Sequence, residues 1–370
     1  MEIYFFTIFF LGFFALLEVN LKDVKRSEVL MNTLKFLSFI ILVSQMGFRW
    51  ETGSDWNAYL DHYESFRNEY RWIGYPNQME LGYDFFAHIF YKYAYGYSIF
   101  LFVNALIFYL LIFKTLDFFS KYFFITLLVF YCLFMGNLGT NRQLLALALG
   151  LYSLTFLFKK QYTYYFLLIF VGYFFHATSL IFIFFFFINR NIKGHFLLAL
   201  LLISIVIGYS PIPIYIFGLA GGISAEASKK AELYVKAAEK ETAVLSIFGL
   251  LKRLFFLFVF YIARNKLQEK IPQYNLIFNG YFLGILFYFI FSKSLLVMIS
   301  RGSLYFNAME PILMGFLLLL VEDKKKRMIL MIPLLIIAII DFNQSIGAYK
   351  DLFDPYKGIF YNVNYRRLMY

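Results

Sequence analysis

The chain has 370 residues, of which 61% are hydrophobic and only 15% charged, at a mean hydropathy of +0.68. That balance excludes a soluble surface and describes an all-α polytopic membrane protein; at about 20 residues per span the length holds on the order of a dozen helices and no separate soluble domain. One cysteine, Cys132, excludes an intrachain disulfide and a cysteine metal site, four scattered histidines add no metal cluster, and the net charge of +11 falls in short clusters between apolar runs, which excludes a nucleic-acid face.

Read from the N-terminus, apolar runs predict helices over 3–18 and 36–48, joined by a loop carrying Lys22, Lys25 and Arg26. Met1 is followed by Glu2 with no basic n-region, so the first run is expected to be a retained span rather than a signal peptide. A long polar connection follows over 49–96, rich in acids and aromatics to residue 83 and then a short amphipathic, re-entrant or interfacial helix over 84–96. Further runs cover 97–116, 122–138, 143–158, 162–176, 178–189 and 196–218. The stretch 219–244 is expected to be a surface amphipathic helix, with Glu226/Lys230 and Glu232/Lys236 at i,i+4 spacing. Runs at 245–263, 276–298, 304–321 and 328–341 complete about twelve helices in one integral membrane domain spanning 1–370.

Lys114 and Lys121, Lys159 and Lys160, Arg190 and Lys193, Arg264 with Lys266 and Lys270, and Lys324 to Arg327 all fall on alternate loops, which the positive-inside rule places in the cytoplasm. The termini and the connections 49–96 and 219–244 are then extracytoplasmic. In that topology the polar helix ends share one membrane face: Arg49, Asp55, Tyr59 and Glu80 on the first long loop, Asn141, Arg142 and Gln143 opening the fifth helix, His176 at the following turn, and Arg301, Tyr305 and Glu310 at the eleventh. Charges among apolar residues are costly unless paired or hydrated, so these arginines imply a water-filled cavity or an anionic partner. Lys252 and Arg253 lie inside an apolar run, either lining that cavity or marking an interfacial segment.

The ordered set R-x-x-x-G-S-D-W-x-x-Y (Arg49 to Tyr59), M-E-L-G-Y (Met79 to Tyr83), N-R-Q-x-x-A (Asn141 to Ala146), F-H-A-T-S (Phe175 to Ser179) and S-R-G-S-L-Y-F (Ser300 to Phe306) resembles the EpsG family of Wzy-like polymerases. The resemblance runs from about residue 36 to 320, with Ser54, Trp56 and Ala177 where the family more often has Thr, Tyr and Pro. It implies a glycosyltransferase of the bacterial cytoplasmic membrane, needing neither metal nor cofactor, that joins undecaprenyl-diphosphate-linked repeat units at the outer face into exopolysaccharide, capsule or O-antigen. The implied partners are that lipid-linked glycan, the bilayer, a chain-length regulator and a flippase. A glycan ligase or a transporter of lipid-linked sugars remains the alternative.

For such a substrate, guanidinium and ammonium groups bind the leaving diphosphate, and the sequence offers Arg142, Arg301, Arg49, Lys252 and Arg253. Arg142 has a second reading, as a partner for an acid such as Glu80. The base is read as His176 ahead of Glu80 and Asp55, because imidazole titrates near pH 6.5 while Arg49 would keep a neighbouring carboxylate ionised; Asp55 is also read as a helix cap. Gln143, Tyr59 and Tyr305 are expected to position the acceptor.

Overall fold

In the structure, a computed structural model that describes residues 1–21, 27–67, 79–93, 95–215, 247–294, 296–347 and 349–362, the described part of each of the twelve apolar runs falls mainly on helix. Among the described residues six helices have the length and apolar composition to cross a membrane, over 2–21, 27–47, 97–119, 274–291, 302–320 and 324–347, and four shorter apolar helices join them. The protein is membrane-embedded and all-α. The predicted helix over 219–244 and the basic loop at Lys22, Lys25 and Arg26 lie outside the described residues.

The chain divides into two compact units. The first, Met1–Phe182 with Met314–Tyr370, holds α1 (Glu2–Leu21), α2 (Ser27–Gly47), the short α3 (Trp56–Glu64) and α4 (Leu81–Lys92), then α5 (Tyr97–Phe119), α6 (Phe123–Phe134), α7 (Asn141–Phe158) and α8 (Tyr162–Phe175). The C-terminal helix Lys324–Gly347 returns to it, packing on α1 and α6. Of the twelve residues of α6 all but Leu133 are buried, so a helix that is apolar all round becomes the core. α1 carries a row of exposed phenylalanines, Phe5, Phe6, Phe9 and Phe13, which fits a lipid-facing stripe. One acid breaks that apolar helix. Glu18 is buried and accepts hydrogen bonds from the backbone N–H groups of Phe123 (2.8 Å) and Phe124 (2.9 Å), satisfying two orphan donors at the start of α6 and placing negative charge at its positive end.

The second unit, Ile183–Leu313, holds α9 (Phe184–Ile188), α10 (Gly194–Gly208), α11 (Ile247–Lys270), α12 (Tyr274–Phe291) and α13 (Leu296–Asn307). α12 packs on the other four. Buried Arg264 clasps the unit: its guanidinium donates to the carbonyl of Ile192 (2.7 Å), to Asn191 Oδ1 (2.7 Å) and to Asn275 Oδ1 (3.0 Å). The predicted run 304–321 is divided: α13 starts eight residues earlier, at Leu296, and ends at Asn307, and a second helix runs from Met309 to Leu317. Arg301 therefore lies within a helix instead of opening one.

Candidate functional site

Two glycines build the frame of the site. Gly53 (φ +97°) and Gly139 (φ +114°) hold backbone conformations that side chains rarely adopt. A Cβ on Gly53 would sit 2.2 Å from the Leu138 carbonyl, and one on Gly139 1.9 Å from the Ser54 carbonyl. The two turns lie back to back, locked by Ser54 N–H donating to the Leu138 carbonyl at 3.0 Å. The start of α3 is thereby pressed against the start of α7, so Tyr59, one turn into α3, meets Arg142, the second residue of α7.

Arg142 joins two residues named from the sequence, Tyr59 and Glu80. Its Nε donates to the Tyr59 hydroxyl at 3.1 Å, its guanidinium lies over the Tyr59 ring at 5.6 Å, and its Nη1 forms an ion pair with Glu80, the residue preceding α4. Both charged side chains keep about a quarter of their surface, 23% and 25%, so the pair is open to a solute. The Tyr59 phenol is held above its ordinary range by burial, with Arg142 pulling the other way. Asp55 occupies the position before α3 at φ 56°, exposed, and its carboxylate makes no capping bond, so the cap reading fails while its charge still reaches Tyr59.

Arg49 sits one residue away from this cluster, but inside the protein. It is 1% exposed, and its guanidinium donates to the Met46 carbonyl and to Asn141 Oδ1 (2.6 Å), while Asn141 Nδ2 reaches the Tyr83 hydroxyl at 3.5 Å. Its hydrogen bonds run to a carbonyl and an amide, not to a carboxylate, so a full positive charge lies behind the first turn of α7, where the helix dipole adds to it. Burial pulls the Arg49 pKa down, offset in part by the phenols of Tyr97, Tyr356 and Tyr83.

The remaining predicted residues are distributed as follows. His176 ends α8, half-buried, with its Nδ1 2.5 Å from Thr178 Oγ1 and 3.4 Å from the Thr178 N–H that donates to it. A neutral imidazole accepting at Nδ1 carries its proton on Nε2, which suits donation better than proton abstraction. Phe86 of α4 packs against Phe175, the residue before His176, with ring centroids 6.3 Å apart. Gln143 is buried on α7. In the second unit Lys252 pairs with buried Glu310 at 2.9 Å, Arg253 donates to the Gly249 carbonyl (3.1 Å) and lies over the Tyr288 ring at 4.7 Å, and Tyr305 is fully buried. The Arg301 side chain lies outside what the structure describes. Among the described residues no three His, Cys, Asp or Glu side chains form a group that could hold a metal ion.

Two features of the site had no signal in the residues singled out. His62 and Asp84, both buried, face each other at 3.1 Å and tie α3 to α4 beneath Tyr83. The segment 349–362 folds back over the 48–53 turn: Trp50 N–H donates to the Lys357 carbonyl (2.9 Å), Gly53 N–H to the Leu352 carbonyl (2.8 Å), Ile359 N–H to the Phe48 carbonyl (2.9 Å), and Lys357 forms an ion pair with Glu51. Tyr356 seals this strap by donating to the Gln45 carbonyl at 2.7 Å.

The model of the family described as EpsG family matches residues 32–358 of this chain. The match reaches into the strap, past residue 320 where the sequence motifs fade, and ends at residue 358. Comparison with curated proteins and with solved structures returned no match.

Proposed function

The chain belongs to the EpsG family, and on that premise we propose that it is a glycosyltransferase that polymerises lipid-linked oligosaccharide repeat units, with undecaprenyl diphosphate as the leaving carrier, at the extracytoplasmic face of a bacterial cytoplasmic membrane. The observation that carries this reading is the Arg142–Glu80–Tyr59 cluster at the start of α7, with the buried charge of Arg49 behind it. Arg142 and Glu80 neutralise each other, so the surplus positive charge at this end comes from Arg49 and the helix terminus, and it favours an anion.

A diphosphate entering the cluster competes with Glu80 for Arg142. Once displaced, Glu80 is a carboxylate without its cation, and beside the acceptor it takes up the hydroxyl proton. The anomeric carbon–oxygen bond of the donor breaks with its electron pair leaving on the diphosphate, the acceptor oxygen forms the new bond, and its proton passes to Glu80. Arg142 holds the developing charge and Tyr59 fixes the guanidinium plane. Glu80 takes precedence over His176 as base because it already faces Arg142 in the cluster, while the histidine's Nδ1 is engaged by Thr178. His176 then serves as an Nε2–H donor and exposed Asp55 as an acceptor-binding group. Gln143, buried on α7, serves as a positioning residue in the same reading.

A deletion strain tests the reading. Envelope glycan from it should show single capped repeats in place of long chains, with length restored by the wild-type gene and not by one encoding Arg142→Ala. Unchanged chain length in the deletion strain overturns the reading.

A further inference from the structure

The second unit contains a cavity of about 420 Å³ between α10, α11 and α12. Leu198 and Leu201 of α10 and Leu254 and Phe258 of α11 line its walls, and Gly194 and His195 stand at one end. The lining residues extend from Gly194 to Leu201 on α10 and from Leu254 to Tyr261 on α11, seven helical steps on each and therefore about 10 Å of helix length, within the thickness of one leaflet of a bilayer core. The groove is open to the side: Leu198 and Phe258 are more than half exposed, at 57% and 62%.

The end of the groove at Gly194 is basic. The α9–α10 link that leads into Gly194 carries Arg190 and Lys193, both exposed, and no acid. The end of α11 carries Arg264, Lys266 and Lys270 against a single acid, Glu269. The Arg264 clasp to Asn191 and Ile192 brings these two basic segments together, and Asn279 strengthens the junction by donating to the carbonyls of Ile188 and Arg190, both at 2.7 Å. At the same end Tyr261 packs so closely on Gly194 that a Cβ there would fall 2.1 Å from the phenol oxygen. Apolar walls one leaflet deep, ending at a phenol, an imidazole and a cluster of exposed cations, match the two halves of one kind of molecule.

We propose that this groove binds an anionic phospholipid of the surrounding bilayer, an acyl chain between α10 and α11 and the phosphate headgroup at Arg190, Lys193 and His195. The occupant is a bilayer lipid because the cations flank the groove's end at the loop, where headgroups lie, and the site is built wholly within the second unit.

The test is native mass spectrometry of the full-length protein, released from detergent with equimolar phosphatidylglycerol and phosphatidylcholine of the same acyl chains. One phosphatidylglycerol should be retained with roughly thirtyfold preference, the scale of two basic side chains acting on an anionic lipid. Arg190→Gln with Lys193→Gln, both on the surface and harmless to folding, should abolish the preference while leaving weak binding of either lipid. Leu198→Trp, which fills the open side of the groove, should reduce retention of both. Equal retention of the two lipids by the wild type, or an unchanged preference in the double variant, overturns the proposal. So does displacement of phosphatidylglycerol by polyprenyl phosphate at a tenth of its concentration, which would make the groove a substrate site.

Discussion

Glu80→Gln separates the chemistry proposed for the first unit from its architecture. Glutamine keeps the shape and an oxygen that accepts from Arg142, so what is lost is charge. Both partners are about a quarter exposed, which places the pair between surface ion pairs worth about 0.2–1 kcal/mol and buried ones whose rupture costs about 3–5 kcal/mol. With the hydrogen bond retained, the expected loss of stability is about 1–2 kcal/mol. Against a typical stability of about 5–15 kcal/mol that leaves nearly all molecules folded. Turnover, by contrast, should fall by about 10²-fold or more, the range that loss of a general base produces. The Michaelis constant for the donor should hold or fall, because Arg142 is relieved of its resting competitor. The assay is initial-rate polymerisation of purified lipid-linked repeat units, normalised to the monodisperse protein peak on size-exclusion chromatography. Turnover within threefold of wild type, or an activity loss that only tracks the loss of folded protein, refutes the role of Glu80 as base.

Other consequences of the fold can be checked by stability alone. Gly139→Ala puts a methyl group 1.9 Å from the Ser54 carbonyl at a φ of +114°, and thermal unfolding in detergent should register a loss on the order of 3 kcal/mol or more. Lys357→Glu sets a second carboxylate against Glu51 and should cost about 2–4 kcal/mol, of which the double exchange Glu51→Lys with Lys357→Glu recovers at least half; no recovery would mean that the strap is held by its backbone bonds alone. The Tyr63 phenol, on the short helix α3, is pushed up to about 12 by burial and then by Tyr91. The unfolded chain therefore ionises first, and stability should fall as the pH rises from about 10 to 12. Tyr63→Phe should flatten that decline in unfolding temperature, and an identical decline in the variant would exclude Tyr63 as its source.

The helical architecture was legible because apolar runs report burial in lipid or in a core without reference to partners. α6, buried on every side, and α1, with one lipid-facing row, look alike in the sequence, and only packing tells them apart. The start of α7 at Asn141 and the pairing of Arg142 with an acid such as Glu80 were also readable, since a charge at an apolar helix end needs an answer. Arg49 was misplaced among the substrate-facing cations. Its partners are a main-chain carbonyl and an amide, and neither is visible in a pattern of charges. The strap over 349–362 was missed for the same reason: three of its four ties to the 48–53 turn named above are backbone hydrogen bonds, which any sequence can make. Glu18 gave no hint that its partners are two N–H groups more than a hundred residues away.

The central claim is that the Arg142 cluster transfers glycan from a polyprenyl diphosphate. Reconstitution of the purified protein into vesicles containing polyprenyl-diphosphate-linked repeat units, with products resolved by length, tests it most directly. The account predicts a ladder of extended chains with the wild type and only unextended repeats with Arg142→Lys, a variant that keeps the charge and should remain folded but loses the paired donors of the guanidinium plane. No chain lengthening by active-folded wild type, or a full ladder from Arg142→Lys, would contradict it.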